Sequence, residues 1–534
     1  MKLNQIIKFF RYHIFLDKYE KEYVKQNKLK WKKKKKIEKK IILVDLFPWY
    51  PYIHIWSYLS NIISLKKNSQ IKFFYFDLNF KRKLKSRLYI SKLVKIYKSF
   101  NCTEGITDYE IINSQTEKDR YRSIFKNFKN NKSKLIKFRR NNIQIGDLIY
   151  DTYLLIYKKP TANFNDENLF NLFVKGNQIF DICNNYFKKN KIECVIPSHV
   201  CYSSYGIISR LALSRNIPVF KIKSENWGKA LFRLIKIDKK HSVDEHPYYN
   251  YKKIFFKFDN SKKNKARKIG KKLILNRLSG KKDSNIPYLK LSSYNKKNKL
   301  RNFDGLKKEK SVVIFPHSLN DNPHRFRSML FPDFYEQVLF ILKNSEDFKK
   351  INWYYKPHPN ETKEMLIHHK KITKKFSNVI ILNQNISNKF LLELKPKFII
   401  TNHGTIAHEF AYMNIPAICT GDNPHINYDF CFTPKNRKEL KNTINKFIKR
   451  KIDFKINKNQ IYEFMYLHYE YFPNLFNRKK LISDNYFSFT KFNIKFFSDP
   501  LKLYLKETKK VNNNIQSYIN NFVEFNLNDR KNFK

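Results

Sequence analysis

The alternation of apolar and polar residues is most regular between residues 309 and 450. There SVVIFPH, INWYYKPH, NVIILN, KFIITNH and IPAICTG form short, continuously apolar runs rich in β-branched and aromatic residues. Segments with helical spacing lie between them, among them FPDFYEQVLFILK, ISNKFLLELK and TIAHEFAYMN. Buried strands separated by helices of about ten residues predict a doubly wound parallel sheet. A looser alternation precedes it. IILVDLF predicts a buried strand, the stretch to Leu65 a helix, and IKFFYFDL a second strand; later CVIPSH, YSSYGIISRLALSRN and PVFKI predict strand, helix and strand. Residues 80–142 are basic and mostly helical in pattern. IQIGDLIYDTYLLIYK then leads into the long amphipathic stretch NLFNLFVKGNQIFDICNNYFKKN.

These patterns divide the chain into five parts. A lysine-dense arm occupies 1–40, a Rossmann-like domain with a helical insertion 41–240, and a linker or helical bridge rich in Lys, Asn and Ser 241–308. A second Rossmann-like domain fills 309–450, and a helical extension ending in a polar tail runs over 451–534. The expected class is α/β, with two Rossmann-like domains facing a central cleft and helical additions at both ends. A length of 534 residues exceeds what one core holds. With 42% apolar residues, including 48 Phe and 34 Tyr, the chain has material for two. The apolar stretch 41–65 carries Asp45, Pro48, Pro51 and His54, which a spanning helix tolerates poorly, so strand, loop and helix are expected there. IIKFFRYHIFL is broken by charges and lacks a small-residue cleavage site, so it does not read as a signal peptide. A soluble, cytoplasmic protein is expected.

Charge changes the picture of partners. The formal net charge is +63. Lys, Asn, Ile, Phe and Tyr all have A/T-rich codons, so part of the lysine excess is compositional drift. Whatever its origin, such a body attracts nucleotide sugars, anionic lipid and nucleic acid. The run KWKKKKKIEKK reads either as a solvated arm or as an attachment to the anionic inner face of a membrane. The basic residues are spread along the chain rather than gathered on a base-reading motif, which argues against a specific nucleic-acid partner. Cys102, Cys183, Cys194, Cys201, Cys419 and Cys431 form no CxxC pair and no metal-ligand rhythm, and read as free thiols in a reducing compartment.

Candidate chemistry collects after the strands of the second domain, where open parallel sheets bind ligands. PHSLNDNPH holds His317, Asn320, Asp321 and His324; KPHPN holds Lys356, His358 and Asn360; NHGT holds Asn402, His403, Gly404 and Thr405; DNPH holds Asp422, Asn423 and His425. Five of the 14 histidines thus fall in four loops on one sheet edge. In NHGT a small-residue turn offers backbone N–H groups beside a helix start, with Thr405 as either cap or ligand, and the chain has only 10 Gly to place at such a turn. Glu409, one turn on, is a candidate acceptor for ribose hydroxyls or a paired helix carboxylate. Fixed donors of this kind stabilise the charge on a departing nucleotide without a metal, and neither Asp321 nor Asp422 belongs to an acidic pair. No cofactor or metal is implied. The general base for an acceptor hydroxyl has to come from the first domain, where Asp45, Asp151 in GDLIYDTYL and His199 in PSHVCYSSYG are the candidates.

The block from Val312 to Thr433 resembles bacterial capsule and surface-polysaccharide glycosyltransferases of the GT-B fold, including CMP-Kdo transferases and polysialyltransferase-like enzymes. More distantly it is similar to the CDP-glycerol polyol-phosphate transferases of teichoic acid synthesis. KPHP at Lys356–Pro359 is similar to their His-Pro motif, which contacts donor phosphate. NHGTIAHEFAYMNIPAI, Asn402–Ile418, is similar to their strand–HG(S/T)–helix–small-residue–Pro motif. The resemblance implies donor-binding roles for His358, His403, Gly404 and Thr405. The expected activity is transfer of a sugar from a nucleotide-sugar donor to a surface polysaccharide or lipid-linked glycan acceptor. Polyol-phosphate transfer, a basic nucleic-acid- or membrane-binding protein and an inactive transferase-like scaffold are the competing readings.

Overall fold

The computed structural model describes residues 14–31, 39–77, 84–107, 115–226, 231–237, 247–281, 292–295, 310–325, 329–449, 455–472, 486–488 and, except for 518 and 525, 516–527. Most of the lysine run read as either a solvated arm or a membrane attachment (residues 32–38), most of the linker beyond 281 and much of the polar tail lie outside the described residues.

Two sheets organise the chain. The first is built from β1 (Lys40–Asp45), β2 (Gln70–Tyr75) and β3 (Cys102–Thr107), followed, after a small hairpin of β4 (Arg139–Arg140) and β5 (Ile143–Gln144), by β6 (Lys191–Ile196), β7 (Val219–Asn226) and β8 (Leu231–Ile237). The second contains β9 (Ser311–Phe315), β10 (Asn352–Tyr355), β11 (Val379–Ile381), β12 (Phe398–Thr401), β13 (Ala417–Cys419) and β14 (Cys431–Phe432); a last strand, β15 (Tyr486–Ser488), returns to the first. Strand order is β3-β2-β1-β6-β7-β8-β15 in the first sheet and β11-β10-β9-β12-β13-β14 in the second. All neighbours in the second sheet are parallel, as are β3 to β7 in the first. Both therefore follow the Rossmann order 3-2-1-4-5, with a switch point between β1 and β6 in one and between β9 and β12 in the other.

The unbroken apolar runs follow from burial on both faces. Along β1, Ile42 and Val44 enter one core with the helix Tyr50–Lys67, whereas Ile41 and Leu43 enter another with the helices Gly146–Ile156 and Glu167–Lys189. Along β9, Val313 points to one core and Val312 and Ile314 to the opposite one. Alternation between two apolar layers leaves no polar face to mark the period. Strands β3, β8 and β15 are not evident in the amino-acid pattern. β3 is an edge strand with the polar sequence CTEGIT, and β8 and β15 are antiparallel additions at the far edge.

Two segments gain a definite place. The segment read as a linker or a helical bridge forms the helices Tyr251–Phe256 and Asn260–Leu278, which pack on the second sheet together with the helix Lys458–Tyr466. Its buried stripe of Tyr248, Tyr251, Phe255, Ala266 and Ile274 is interrupted in sequence by lysines whose charged ends reach water. The helical extension also divides between the lobes. Phe464 and Leu467 join the second core, while Ile519, Phe522, Val523 and Leu527 join the first, beside Tyr23 of the helix Lys18–Lys30. Among the described residues no helix is long and apolar enough to cross a membrane.

The packing of Asn260–Leu278 against Lys458–Tyr466 depends on Gly270. A Cβ there would lie 2.0 Å from the Tyr462 carbonyl oxygen, a backbone atom that cannot turn aside. Gly270→Ala is expected to separate the two helices and lower stability by about 3 kcal/mol. Urea unfolding checks this; an unchanged midpoint would show that the helices do not pack this closely.

Candidate active site

The switch point of the second sheet brings together two loops that lie far apart in sequence. The loop after β9 carries His317 and the loop after β12 carries His403; their ring centroids are 4.3 Å apart. His358, in the loop after the neighbouring strand β10, lies 6.5 Å from His317. Three of the histidines singled out in sequence thus share one place, each only partly covered.

Hydrogen bonds set their proton positions. The Asn360 backbone N–H donates to Nδ1 of His358 at 3.2 Å, and the Asn402 amide Nδ2 lies 3.1 Å from Nδ1 of His403. With Nδ1 accepting in each, the ring proton sits on Nε2. Burial, reinforced by His317 and Lys356, pushes His358 down to about 4, so it donates as a neutral imidazole at physiological pH. His317 Nε2 contacts Asp321 at 2.8 Å, and that contact holds Asp321 well below the usual carboxylate range despite its burial.

Beneath the three rings lies a buried polar network that the sequence only partly reveals. Glu409 is 1% exposed. One of its oxygens takes the Arg277 guanidinium and the other the Tyr294 hydroxyl at 2.6 Å; Arg277 also donates to the Thr405 hydroxyl at 2.8 Å. Lys356 is turned inward, with its ammonium on Asn388 and 5.9 Å from the centre of the Phe315 ring. Burial pulls it down to about 7, against the nearby Glu409 charge. Lys356 and Glu409 are therefore engaged within the fold rather than presented beside the three partly exposed rings. Thr405 makes no side-chain cap bond, and its helix, Ile406–Tyr412, is short. Gly404 permits a close approach, since a Cβ there would stand 2.7 Å from the Thr401 hydroxyl.

The fourth loop departs from expectation. Asn423 and His425 are fully buried. Asn423 bonds the Gly421 carbonyl and the Thr433 hydroxyl, and the His425 ring packs 4.6 Å from Phe464 and meets His408 at 2.9 Å. Donor-binding roles for these two are withdrawn, because their polar atoms are directed into the fold. Asp422 accepts from Tyr249.

Of the three candidate bases, Asp151 is a strut between the lobes. Its carboxylate takes the His324 ring at 2.5 Å and the His324 backbone N–H at 3.2 Å, and the adjacent Tyr150 hydroxyl donates to Asp333. Buried and bonded in this way, Asp151 is not placed to receive an acceptor's proton. Asp45 and His199 instead form one chain at the switch point of the first sheet. Ser198 donates its N–H to Asp45 at 3.1 Å and its hydroxyl to the same oxygen, while His199 Nδ1 lies 2.9 Å from that hydroxyl oxygen. Since the Ser198 proton goes to Asp45, His199 donates from Nδ1 and keeps its lone pair on Nε2. Burial raises Asp45 to about 7, with the Ser198 bonds acting in the opposite sense. Tyr202, three residues beyond His199, holds φ 63° and ψ 156°, a region normally reserved for glycine. It lies within electrostatic reach of Asp151 and of Asp321 and Arg325, the last two in the segment after β9.

Sequence reasoning missed Arg277 and Tyr294, which lie in the segment read as a linker. It also missed Glu361, which ties the loops after β9 and β10 by accepting from Ser318 at 2.9 Å and meeting His369 at 3.1 Å. Its place directly after KPHPN was the available signal.

No protein-family model matches the chain, and no curated protein matches it. Solved structures with a similar arrangement include the beta Kdo 2,4 transferase KpsC of Thermosulfurimonas dismutans, at 12% identity over 52% of this chain and 79% of that one, with a TM-score of 0.32. A glycosyltransferase of Rickettsia africae is 9% identical over 90% of this chain and 100% of its own, with a TM-score of 0.26. A UDP-GlcNAc 2-epimerase of Methanocaldococcus jannaschii, in complex with UDP-GlcNAc and UDP, is 10% identical over 79% of this chain and 97% of its own, also with a TM-score of 0.26. Likenesses this low carry no argument about family or activity.

The strut has a definite pH response. Burial raises Asp151 from 3.8 to about 6 even with His324 beside it. Burial also disfavours the charged form of His324, but the Asp151 carboxylate more than offsets this and leaves His324 above 6.5. For groups raised on folding, stability is present below the unfolded values and is lost as pH rises through the folded ones. The melting temperature is therefore expected to fall as pH climbs from 4 through 6 and past 6.5. Asp151→Asn should flatten that slope by a few degrees, as measured by calorimetry across pH; an equal slope in the variant would remove the strut from the account.

Proposed function

We propose that the chain is a glycosyltransferase that moves a sugar from a nucleotide-sugar donor to a surface polysaccharide or lipid-linked glycan at the inner face of the cell membrane, without a divalent metal. The convergence of His317, His358 and His403 at one switch point carries this reading. The Nε2–H groups of His358 and His403, whose Nδ1 atoms are each engaged by a neighbour, suit the oxygens of a diphosphate or monophosphate leaving group.

In the reaction the acceptor hydroxyl oxygen attacks the anomeric carbon. The bond from that carbon to the nucleotide's phosphate oxygen breaks, and the electron pair leaves with the nucleotide. The charge that develops there lies against His358 and His403. The acceptor's proton passes to Nε2 of His199, whose imidazolium is stabilised through Ser198 by Asp45, placed at the opposing switch point. Preorganised donors replace the metal, because they are already held when the charge appears. The net charge of +63 concentrates an anionic donor and an anionic lipid surface around the protein.

Activity assays on variants separate the two halves of the site. His358→Ala and His403→Ala are expected to lower kcat/KM for the donor by roughly 10²-fold each. His199→Ala and Asp45→Asn should reduce kcat by roughly 10²–10⁴-fold with little change in donor affinity. EDTA added at assay time should leave the rate unchanged. Full activity in both His358→Ala and His199→Ala, or activity with a CDP-polyol donor only, would overturn the proposal.

A further inference from the structure

The histidine withdrawn from the crevice sits in a cluster that this activity does not use. Cys419 ends β13 and Cys431 begins β14, in the register Ala417↔Cys431. Cys419 lies two residues beyond Ala417, so its side chain falls on the same face as Cys431, a diagonal neighbour. His425 stands midway in the connecting loop, in the spacing C-x5-H-x5-C. The two sulfurs and a ring nitrogen of His425 all lie within 4.8 Å of one another, and all three residues are buried.

The surroundings hold the ring as a metal ligand is held. Nε2 of His425 meets Nδ1 of His408 at 2.9 Å, and the His425 backbone N–H is fixed by Asn423 at 2.9 Å. That leaves Nδ1 as the nitrogen on the ligand side. It is buried and has no hydrogen-bond partner among the described residues. Buried polar atoms normally find partners, and an orphaned imidazole nitrogen beside two thiols calls for one. A ligating histidine that uses its other nitrogen on a fixed partner is the usual second layer of a metal site. Phe430 and Phe464 pack against the ring.

We propose that Cys419, His425 and Cys431 bind a thiophilic cation of the zinc class, a structural site separate from the transfer chemistry. Tetrahedral zinc places sulfur at about 2.3 Å and nitrogen at about 2.0 Å, so the donors would stand about 3.5–3.8 Å apart. Closure from separations within 4.8 Å needs shifts of at most about 0.7 Å per donor. Binding converts two thiols to thiolates and releases two protons, so Zn²⁺ with its two thiolates and one neutral imidazole carries no net charge in the apolar core. The fourth corner falls to a small exogenous ligand. The bound ion would lock the loop 420–430, whose Gly421 lies so close to Asn402 that a Cβ there would stand 2.5 Å from its side-chain oxygen. The wall of the crevice would thereby be fixed from behind.

The full chain, purified under reducing conditions, is tested by elemental analysis and by titration with Co²⁺ followed by Zn²⁺. About one zinc per chain and a thiolate-to-cobalt charge-transfer band that Zn²⁺ erases are expected. Cys419→Ser and Cys431→Ser should each weaken binding roughly tenfold or more and abolish the band, while Cys183→Ser, far away in the first core, should leave both unchanged. If the serine variants fail to fold, the wild-type cobalt spectrum alone decides. Absence of the charge-transfer band, equal retention of metal by Cys419→Ser, or a Cys419–Cys431 disulfide in the freshly purified chain would each overturn the site. None of these results bears on whether the chain transfers sugar.

Discussion

A carboxylate buried under the crevice organises much of what surrounds it. Glu409 is almost wholly out of water, and an uncompensated charge there would be costly by several kcal/mol. Arg277 and Tyr294 neutralise and saturate it, and both come from the chain between the two sheets. The same guanidinium holds Thr405, so the turn that presents His403 is tied to a helix outside the Rossmann unit. Lys356, just beyond β10, joins the network through Asn388. The second lobe is therefore a six-stranded sheet completed by helices on which its crevice depends.

A parallel constraint acts between the lobes. The loop after β9 contributes His317 to the crevice and, seven residues later, His324 to Asp151 of the other lobe. One short segment thus sets both the position of the His317 ring and the contact with the other lobe. The strained Tyr202 turn lies within electrostatic reach of that segment, which is where a conformational cost is expected if placement of the opposing His199 matters.

How much of this was legible in the sequence depends on burial. Strands covered on both faces, such as Val312–Ile314 and Phe398–Ile400, appear as unbroken apolar runs and are plain. The loops that follow them at a sheet's carboxyl edge are plain too, which is why His317, His358 and His403 could be named together. Burial also hides roles. Asp151 and His425 carry the right chemistry, but their partners, His324 and His408, lie on other elements and turn them inward. Arg277 and Tyr294 lie in lysine- and asparagine-rich surroundings that resemble a linker because the charged residues outnumber the buried stripe. The Cys419, His425 and Cys431 spacing matches no familiar ligand rhythm. Only the pairing of β13 with β14 puts the two sulfurs on one face.

The central claim is that the three imidazoles form a binding place for the phosphates of a nucleotide. A thermal-shift screen of the wild-type chain and of His358→Ala against CMP, CDP, UDP and GDP tests it most directly, since a ligand that binds the folded state raises the melting temperature by mass action. One nucleotide is expected to stabilise the wild-type chain in a concentration-dependent way and to do so far less in the variant. No shift with any of the four, or an equal shift in both proteins, would contradict the account.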